Sequence, residues 1–408
     1  MTKFRKLLAV LVCGSFVAAA CGSDAKSATT TAGSAAAAAT TPAATETTAV
    51  ASGDTTPAAT ETTAAAGGDA GMAAAEAQVK KFSTYDGKIG VSIPLTKKPD
   101  KKTIAWLECD VPTCAAYITP GFKNATTALG WDLKIIPMKS TDPGPAVQQA
   151  IDAKVDYIAS TGLATAQYQP QLDAAKAAGI PVLSCYGTDI PSPDSGLYME
   201  CGDTTFVQNS GPVMADWAIV DSKGAANMLI VSIPDFPVLV SETDAVKAEV
   251  KKNCAKCVVT ELDVTLQDLI GGTVPASVVS KLQANPDVNY VYYSFGDLPG
   301  GVTAALQSAG LDKKVTQFGQ DFSKIDLDEI TAGTMGPWAT DPKGYAAWLM
   351  VDAAARLSLG MKLDEERKAA VLPTIIISDP AEAKKLSDVG GDWMPPGAED
   401  AFKKLWGV

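Results

Sequence analysis

From Tyr85 onward, short apolar runs of strand character alternate with helical patterns across short links, and that alternation leaves few folds open. TIAWLEC (103–109) reads as a buried strand, and AAYITPGFKNATTALG (115–130) as a helix closed by Gly130. WDLKIIP, AVQQAIDA, VDYIAST, QPQLDAAKAAG and IPVLSCY continue the alternation. After a break near GDTT (202–205) the rhythm returns. ANMLIVSI precedes a helix running to about Lys252, and CVVTELDV precedes SVVSKLQAN. VNYVYYS precedes GGVTAALQSAG, and KVTQFGQ precedes FSKIDLDEITAG. Near-continuous apolar strands separated by helices predict parallel sheets covered on both faces. Roughly 320 residues follow Tyr85, enough for two domains. The strands are too many for one small sheet, so the expected fold class is α/β with two doubly wound parallel-sheet lobes.

In such sheets ligands sit outside the carboxyl ends of the strands. The strand-end loops are ECDVPTC (108–114), STGLAT (160–165), SCYGTD (184–189), SIPDFP (232–237), SFGDLP (294–299) and GQDF (319–322). They place aromatics beside carboxylates and amides, and helix N-termini with oriented N–H donors follow several of them.

The N-terminus has a different character. Lys3, Arg5 and Lys6 precede the apolar run Leu7–Ala20, which is shorter than the roughly 20 residues of a membrane span. The pattern predicts an export signal over residues 1–20. Cys21, directly after Ala18, Ala19 and Ala20, resembles a bacterial lipobox, although such boxes usually carry Leu where Ala18 stands. The expectation is lipidation at Cys21 and anchoring to the outer face of the cell membrane, with two or three acyl chains for stable retention. Residues 21–78 read as a disordered Ala/Thr-rich tether. TTPAATETTA occurs at 40–49 and again at 55–64, with too little apolar area to offset chain entropy.

Removing the three basic residues of the signal from 34 leaves 31 basic against 46 acidic residues, a net charge of −15. That balance argues against nucleic-acid partners. The chain has no histidine, which removes His-based acid–base chemistry, Ser-His and Cys-His pairs and most catalytic zinc sites. G-x-S-x-G, Walker and G-x-G-x-x-G patterns are also missing, so the expectation is a non-enzyme with no cofactor and no metal. Six cysteines remain past Cys21, an even number suited to disulfides in an exported chain. Their spacing favours Cys109–Cys114, Cys185–Cys201 and Cys254–Cys257. The last pair, in CAKC, reads as a structural bridge in a helix-to-strand turn away from the ligand loops.

The order of these elements over residues 86–378 is similar to that of type I periplasmic sugar-binding proteins, the pentose- and hexose-binding family of ABC importers. AAKAAGIPVLSCYG resembles the family's stretch before the first hinge. NPDVNYVYYSFGDLPGGVTAALQSAGL resembles the segment with a hydroxyl-binding Asp at a strand end. KVTQFGQDFSKIDLDEITAGTMGPWATDPKGYAAWLMVDAA resembles the last stretch. The resemblance implies two lobes joined by three crossings and closing on a small molecule by hinge motion. The implied boundaries are lobe 1 at 79–203 plus 322–360, lobe 2 at 204–321 plus 361–378, and a C-terminal tail at 379–408. It also implies an ABC permease and its ATPase as partners, a sugar-like ligand, a monomer, and contact with the membrane through the lipid alone.

The resemblance puts Asp297 at the hydroxyl-binding position, which is also a place for a helix N-cap. It puts the second crossover's Asp at Gln320 or Asp321. Asp110 and Tyr117 follow the first strand, where the family places ligand aromatics. Tyr186 ends its strand, Asp235 and Phe236 precede a helix, Phe295 stands at a strand end, and Trp338 lies near the third crossing. Trp106, Trp131, Trp217 and Trp348 fall inside elements and read as core. The two arginines of the exported part, Arg356 and Arg367, lie away from the strand ends, and no lysine occurs in the quoted loops. The expectation is therefore a site without a fixed cation, suited to a neutral polyol held by Asp and Gln acceptors against aromatic rings. A cation, or a largely apolar or aromatic ligand, is the alternative. The Cys109–Cys114 bridge is expected to close the first strand-end loop beside the ligand.

Overall fold

The structure, a computed structural model, describes residues 68–85, 87–202, 206–367 and 371–408. The signal segment, Cys21 and the tether up to residue 67 lie outside the described residues.

The first half runs α1 (Asp69–Lys81), β1 (Thr103–Glu108), α2 (Thr119–Leu129), β2 (Asp132–Pro137), α3 (Gly144–Asp152), β3 (Tyr157–Thr161), α4 (Gln169–Ala177), β4 (Val182–Cys185) and β5 (Leu197–Met199). A π-helical turn, Cys114–Ile118, leads into α2. The second half begins with α5 (Gly211–Asp221), β6 (Asn227–Ser232), α6 (Pro237–Asn253), β7 (Val258–Asp263), α7 (Leu266–Ile270) and α8 (Val274–Ala284). It continues with β8 (Tyr290–Tyr293), α9 (Val302–Ala309), β9 (Thr316–Gln320), α10 (Lys324–Ala332), β10 (Trp338–Ala339) and α11 (Lys343–Ser358). β11 (Ile376–Ile377), α12 (Pro380–Asp388) and α13 (Ala398–Trp406) complete the chain.

The strands form two sheets, ordered β2-β1-β3-β4-β5 and β11-β10-β9-β8-β6-β7. Pairing is parallel throughout the first sheet and in the second up to β10, which pairs antiparallel with β11. The central strands β3 and β8 are buried along their whole length, as sheets covered on both faces require, whereas the edge strands β2 and β7 are largely exposed. The two-lobed α/β expectation holds. Three of the four tryptophans read as core, Trp106, Trp131 and Trp348, are buried, and Trp217 is half-buried.

Several boundaries differ from the sequence reading. Residues 69–78, assigned there to the tether, belong to α1. This stretch lacks the Pro and Thr of the repeat, and alanine is the strongest helix former. Its Ala75 is buried against Ile219 and Cys254, with Met72 beside them. α10 and β10 stay with the second sheet, where Trp338 pairs with Gly319 and Ala339 with Gln320. The second crossing therefore falls at 340–343, not at 322. Residues 361–367 stay with the first lobe: Glu365 accepts from the Ser92 backbone at 2.8 Å, and Glu366 pairs with Arg356. The tail serves both lobes. α12 packs on α10 of the second lobe, and α13 packs on α11 and α2 of the first.

α11 returns the chain to the first lobe and crosses α2 where two glycines meet. A Cβ on Gly121 would stand 2.5 Å from the Gly344 carbonyl oxygen, so the contact excludes any side chain there. The second and third crossings lie side by side, with Thr340 N–H donating to Ile375 O at 2.7 Å and Ile375 N–H to Thr340 Oγ1 at 2.8 Å.

Candidate functional site in the interlobe cleft

The carboxyl ends of both sheets face one cleft, and the loops there enclose two adjoining cavities that share Val111 and Thr113. The inner one is about 80 Å³ and the outer one about 460 Å³.

The inner cavity receives Tyr186, Phe236, Phe295 and Asp321 from the expected set. Its walls also include the Cys109–Cys114 disulfide, in the place expected for it, and Val238 and Leu239 from the start of α6. Phe236 reaches across to the first lobe, lying 3.6 Å from the Cβ position of Gly162. Tyr186 stacks on Phe206 with ring centroids 5.4 Å apart. The other two pairings, Cys185–Cys201 and Cys254–Cys257, are formed as the spacing suggested.

Asp110, Tyr117 and Asp297 line the outer cavity instead. Asp297 and Tyr117 bridge the lobes. The Thr113 hydroxyl donates to Asp297 Oδ2 at 3.4 Å, and the Lys324 backbone N–H donates to the Tyr117 hydroxyl at 2.7 Å. Burial pushes the Asp297 carboxyl above the usual carboxylate range, against the pull of Lys343. Asp110 holds the neighbouring loop, accepting from the Ser140 hydroxyl at 2.6 Å.

Three expected residues stand elsewhere. Asp235 is exposed and accepts from the Leu266 backbone N–H at 2.7 Å, tying two second-lobe loops together. Gln320 is fully buried in the second lobe, where its amide donates to Glu242 Oε2 at 3.1 Å and to Ser294 O. Burial drives the Glu242 carboxyl well above its ordinary pKa, and Gln320 and the Tyr292 hydroxyl are its partners. Trp338 is fully buried in β10, stacked on Tyr293 at 6.3 Å and donating to Met335 Sδ. The pairing of β10 turns this ring into the second lobe's core and away from the cleft.

In charge, the cleft differs from the sequence expectation. The cleft holds a fixed cation, Lys343, at the N-terminus of α11, 4 % exposed. It forms an ion pair with Asp321 and donates to Phe322 O at 2.9 Å and Asp321 O at 3.3 Å. Asp341 stands beside it and accepts from the Tyr186 hydroxyl at 3.0 Å. Burial alone would lower the Lys343 ammonium, but Asp321 and Asp341 outweigh it and raise its pKa. Burial raises both carboxyls even against Lys343, and it pushes Asp392, whose Oδ2 accepts from the Gly344 backbone N–H, up to about 7. Tyr186 and Asp321 both have left-handed backbones, with φ of 65° and 63°. Non-glycine residues avoid that region at a cost of about 1–2 kcal/mol, and such strain gathers at functional sites.

Lys343 and Asp341 escape a reading confined to strand ends, because both sit in a crossing. ATDPKG (339–344) carries a visible signal, a proline flanked by an acid and a base immediately before a helix. Thr113 is marked only by its place in the 108–114 loop, and nothing local in Val238 or Leu239 marks them as cavity walls.

Residues 115–362 match the family described as periplasmic binding protein domain. No curated protein matches the chain. Among solved structures, a carbohydrate transporter from Acidothermus cellulolyticus 11B in complex with myo-inositol is 22% identical, with a TM-score of 0.59 over 71% of this chain and 98% of that one. A periplasmic solute binding protein of an ABC transporter from Actinobacillus succinogenes 130z, with bound D-allose, is 18% identical, with a TM-score of 0.59 over 70% and 100%. The 5-methylthioribose transporter solute binding protein from Thermotoga lettingae TMO is 18% identical, with a TM-score of 0.60 over 78% and 99%. At these identities the likeness is one of fold.

Proposed function

The chain belongs to the periplasmic binding protein domain family, and from that premise we propose that it is an extracytoplasmic receptor that captures a small solute between its lobes and delivers it to an ABC permease. The observation that carries this reading is the cleft: loops from both sheets wall one pair of cavities, and the second and third crossings lie side by side. Parting the lobes admits a solute, and closing them buries it. The ligands of the solved relatives, myo-inositol, D-allose and 5-methylthioribose, support a sugar-like or polyol class as the starting point. The docked permease and its ATPase, like the monomeric state, follow from the family's role.

In the same reading Cys21 carries the lipid that holds the receptor on the outer face of the membrane, and the Ala/Thr-rich segment after it is the spacer. No catalytic role is assigned.

Thermal unfolding of the purified chain against a panel of sugars, polyols, amines and aromatic compounds tests the receptor. A ligand at a hundredfold excess over Kd stabilises the native state by about 2.7 kcal/mol. A saturable rise in Tm with at least one compound is expected, and a flat response to the whole panel refutes the reading. Release of a Cys21→Ser variant into the medium tests the anchor independently.

A further inference from the structure

The inner cavity has a lopsided supply of hydrogen-bonding groups. An ammonium offers three donors, and Lys343 spends its donors on the Asp321 carboxylate, Asp321 O and Phe322 O. The Tyr186 hydroxyl is committed to Asp341, the Ser140 hydroxyl to Asp110, and the Thr113 hydroxyl to Asp297. Among the side-chain donors lining the cavity, that leaves Thr161, whose hydroxyl lies 3.9 Å from the Cys114 sulfur. Acceptors are better supplied: Asp321 and Asp341, whose carboxyls hydrogen-bond to each other, share one ammonium. The rest of the wall is apolar and includes the rings of Phe236 and Phe295, the branched chains of Val238 and Leu239, and the Cys109–Cys114 bridge.

A polyol fits this supply poorly. Each hydroxyl is both donor and acceptor, and each one buried without a partner costs about 1–3 kcal/mol. An anionic solute fares no better, because Lys343, the cation lining this cavity, has no donor to spare. An apolar body gains from burial against the rings and aliphatic chains, and a single N–H or O–H group finds acceptors at the carboxyl end of the cavity.

Resting on the receptor reading above, we propose that the inner cavity selects a compact solute with an apolar body and one hydrogen-bond-donating end, an amine or a lone hydroxyl, in preference to a polyol. The body lies against Phe236, Phe295, Val238 and Leu239, and the donor meets Asp321 and Asp341. The outer cavity is the vestibule, and the contacts of Thr113 with Asp297 and of Tyr117 with the Lys324 backbone close it behind the solute. The closed inner cavity, at about 80 Å³, is below the roughly 300–1,000 Å³ of most ligand pockets, so the lobes part slightly around the bound body.

Matched compounds of similar frame test the proposal on the purified chain: cyclohexylamine, cyclohexanol and benzylamine against myo-inositol, D-galactose and D-allose. The measurements are Tm and titration calorimetry. The apolar compounds are expected to raise Tm by roughly 2–5 °C at saturation, with the polyols silent, and Phe236→Ser and Phe295→Ser to weaken that binding at least tenfold while folding normally. A polyol that binds more tightly than its apolar counterpart overturns the proposal and leaves the receptor standing. Apolar binding that both variants retain in full also overturns it, since the solute then sits elsewhere. Silence from all six compounds, together with a flat response to the wider panel, removes the receptor reading and this proposal with it.

Discussion

Replacing Lys343 with methionine isolates what the buried cation does for the fold. The methionine fills the stem's volume but leaves Asp321 and Asp341, both 4 % exposed, facing each other without a counter-charge. Removing one partner of a buried ion pair costs about 3–5 kcal/mol, and the bonds to Asp321 O and Phe322 O add about 1 kcal/mol each. We expect Lys343→Met to lose roughly 5–7 kcal/mol at pH 8. The sign with pH follows from the carboxyls. Burial raises both of them above their unfolded values even with the ammonium present, and without it they rise further. The penalty of ionising them is therefore absent below pH about 4, where they are protonated in both states, and grows as pH rises towards the folded values. The variant's deficit should shrink between pH 8 and pH 5. Adding Asp341→Asn should recover part of the loss at pH 8. Urea unfolding followed by tryptophan fluorescence at both pH values reads these differences. A Lys343→Met protein within 1 kcal/mol of the parent at pH 8, or with the same deficit at pH 5, would refute the reasoning.

Two further substitutions probe the frame around the site. Asp216, fully buried in α5 with Asn253 donating to it at 2.7 Å, has its pKa pushed by burial from 3.8 to about 7. Its ionisation therefore weakens the fold as pH rises from about 4 to 7, by up to roughly 4 kcal/mol. Asp216→Asn keeps an acceptor for Asn253, and should gain about 1–3 kcal/mol at pH 8 and nothing at pH 4 in denaturant titrations. Trp406, 1 % exposed, stacks on Trp348 at 5.2 Å and donates to Asp352 at 2.6 Å. Trp406→Ala should cost about 3–5 kcal/mol, and a loss below 1 kcal/mol would show that the tail is not part of the first lobe's core.

The alternation of buried strands with helices made the α/β class, the two lobes and the strand-end location of the cleft legible from the chain itself. These are local consequences of periodicity and burial, repeated often enough to leave few alternatives. The three short-range disulfides were legible for a similar reason, since cysteines 3, 5 and 16 residues apart are near one another in most chain geometries. Of the ten expected ligand residues, seven line the two cavities. Asp235, Gln320 and Trp338 turn away because sheet pairing and buried partners claim their side chains.

Which lobe takes α10, how the tail is divided between the lobes, and the presence of Lys343 in the cleft were decided by tertiary structure. Crossings carry no periodicity of their own, so their side chains acquire an environment only when the two sheets are brought together. The donor accounting of the inner cavity is of the same kind. Tyr186, Ser140 and Thr113 are ordinary polar residues in the sequence, and it is the partners they meet across the fold, from 30 to 184 positions away, that leave the cavity rich in acceptors and poor in donors.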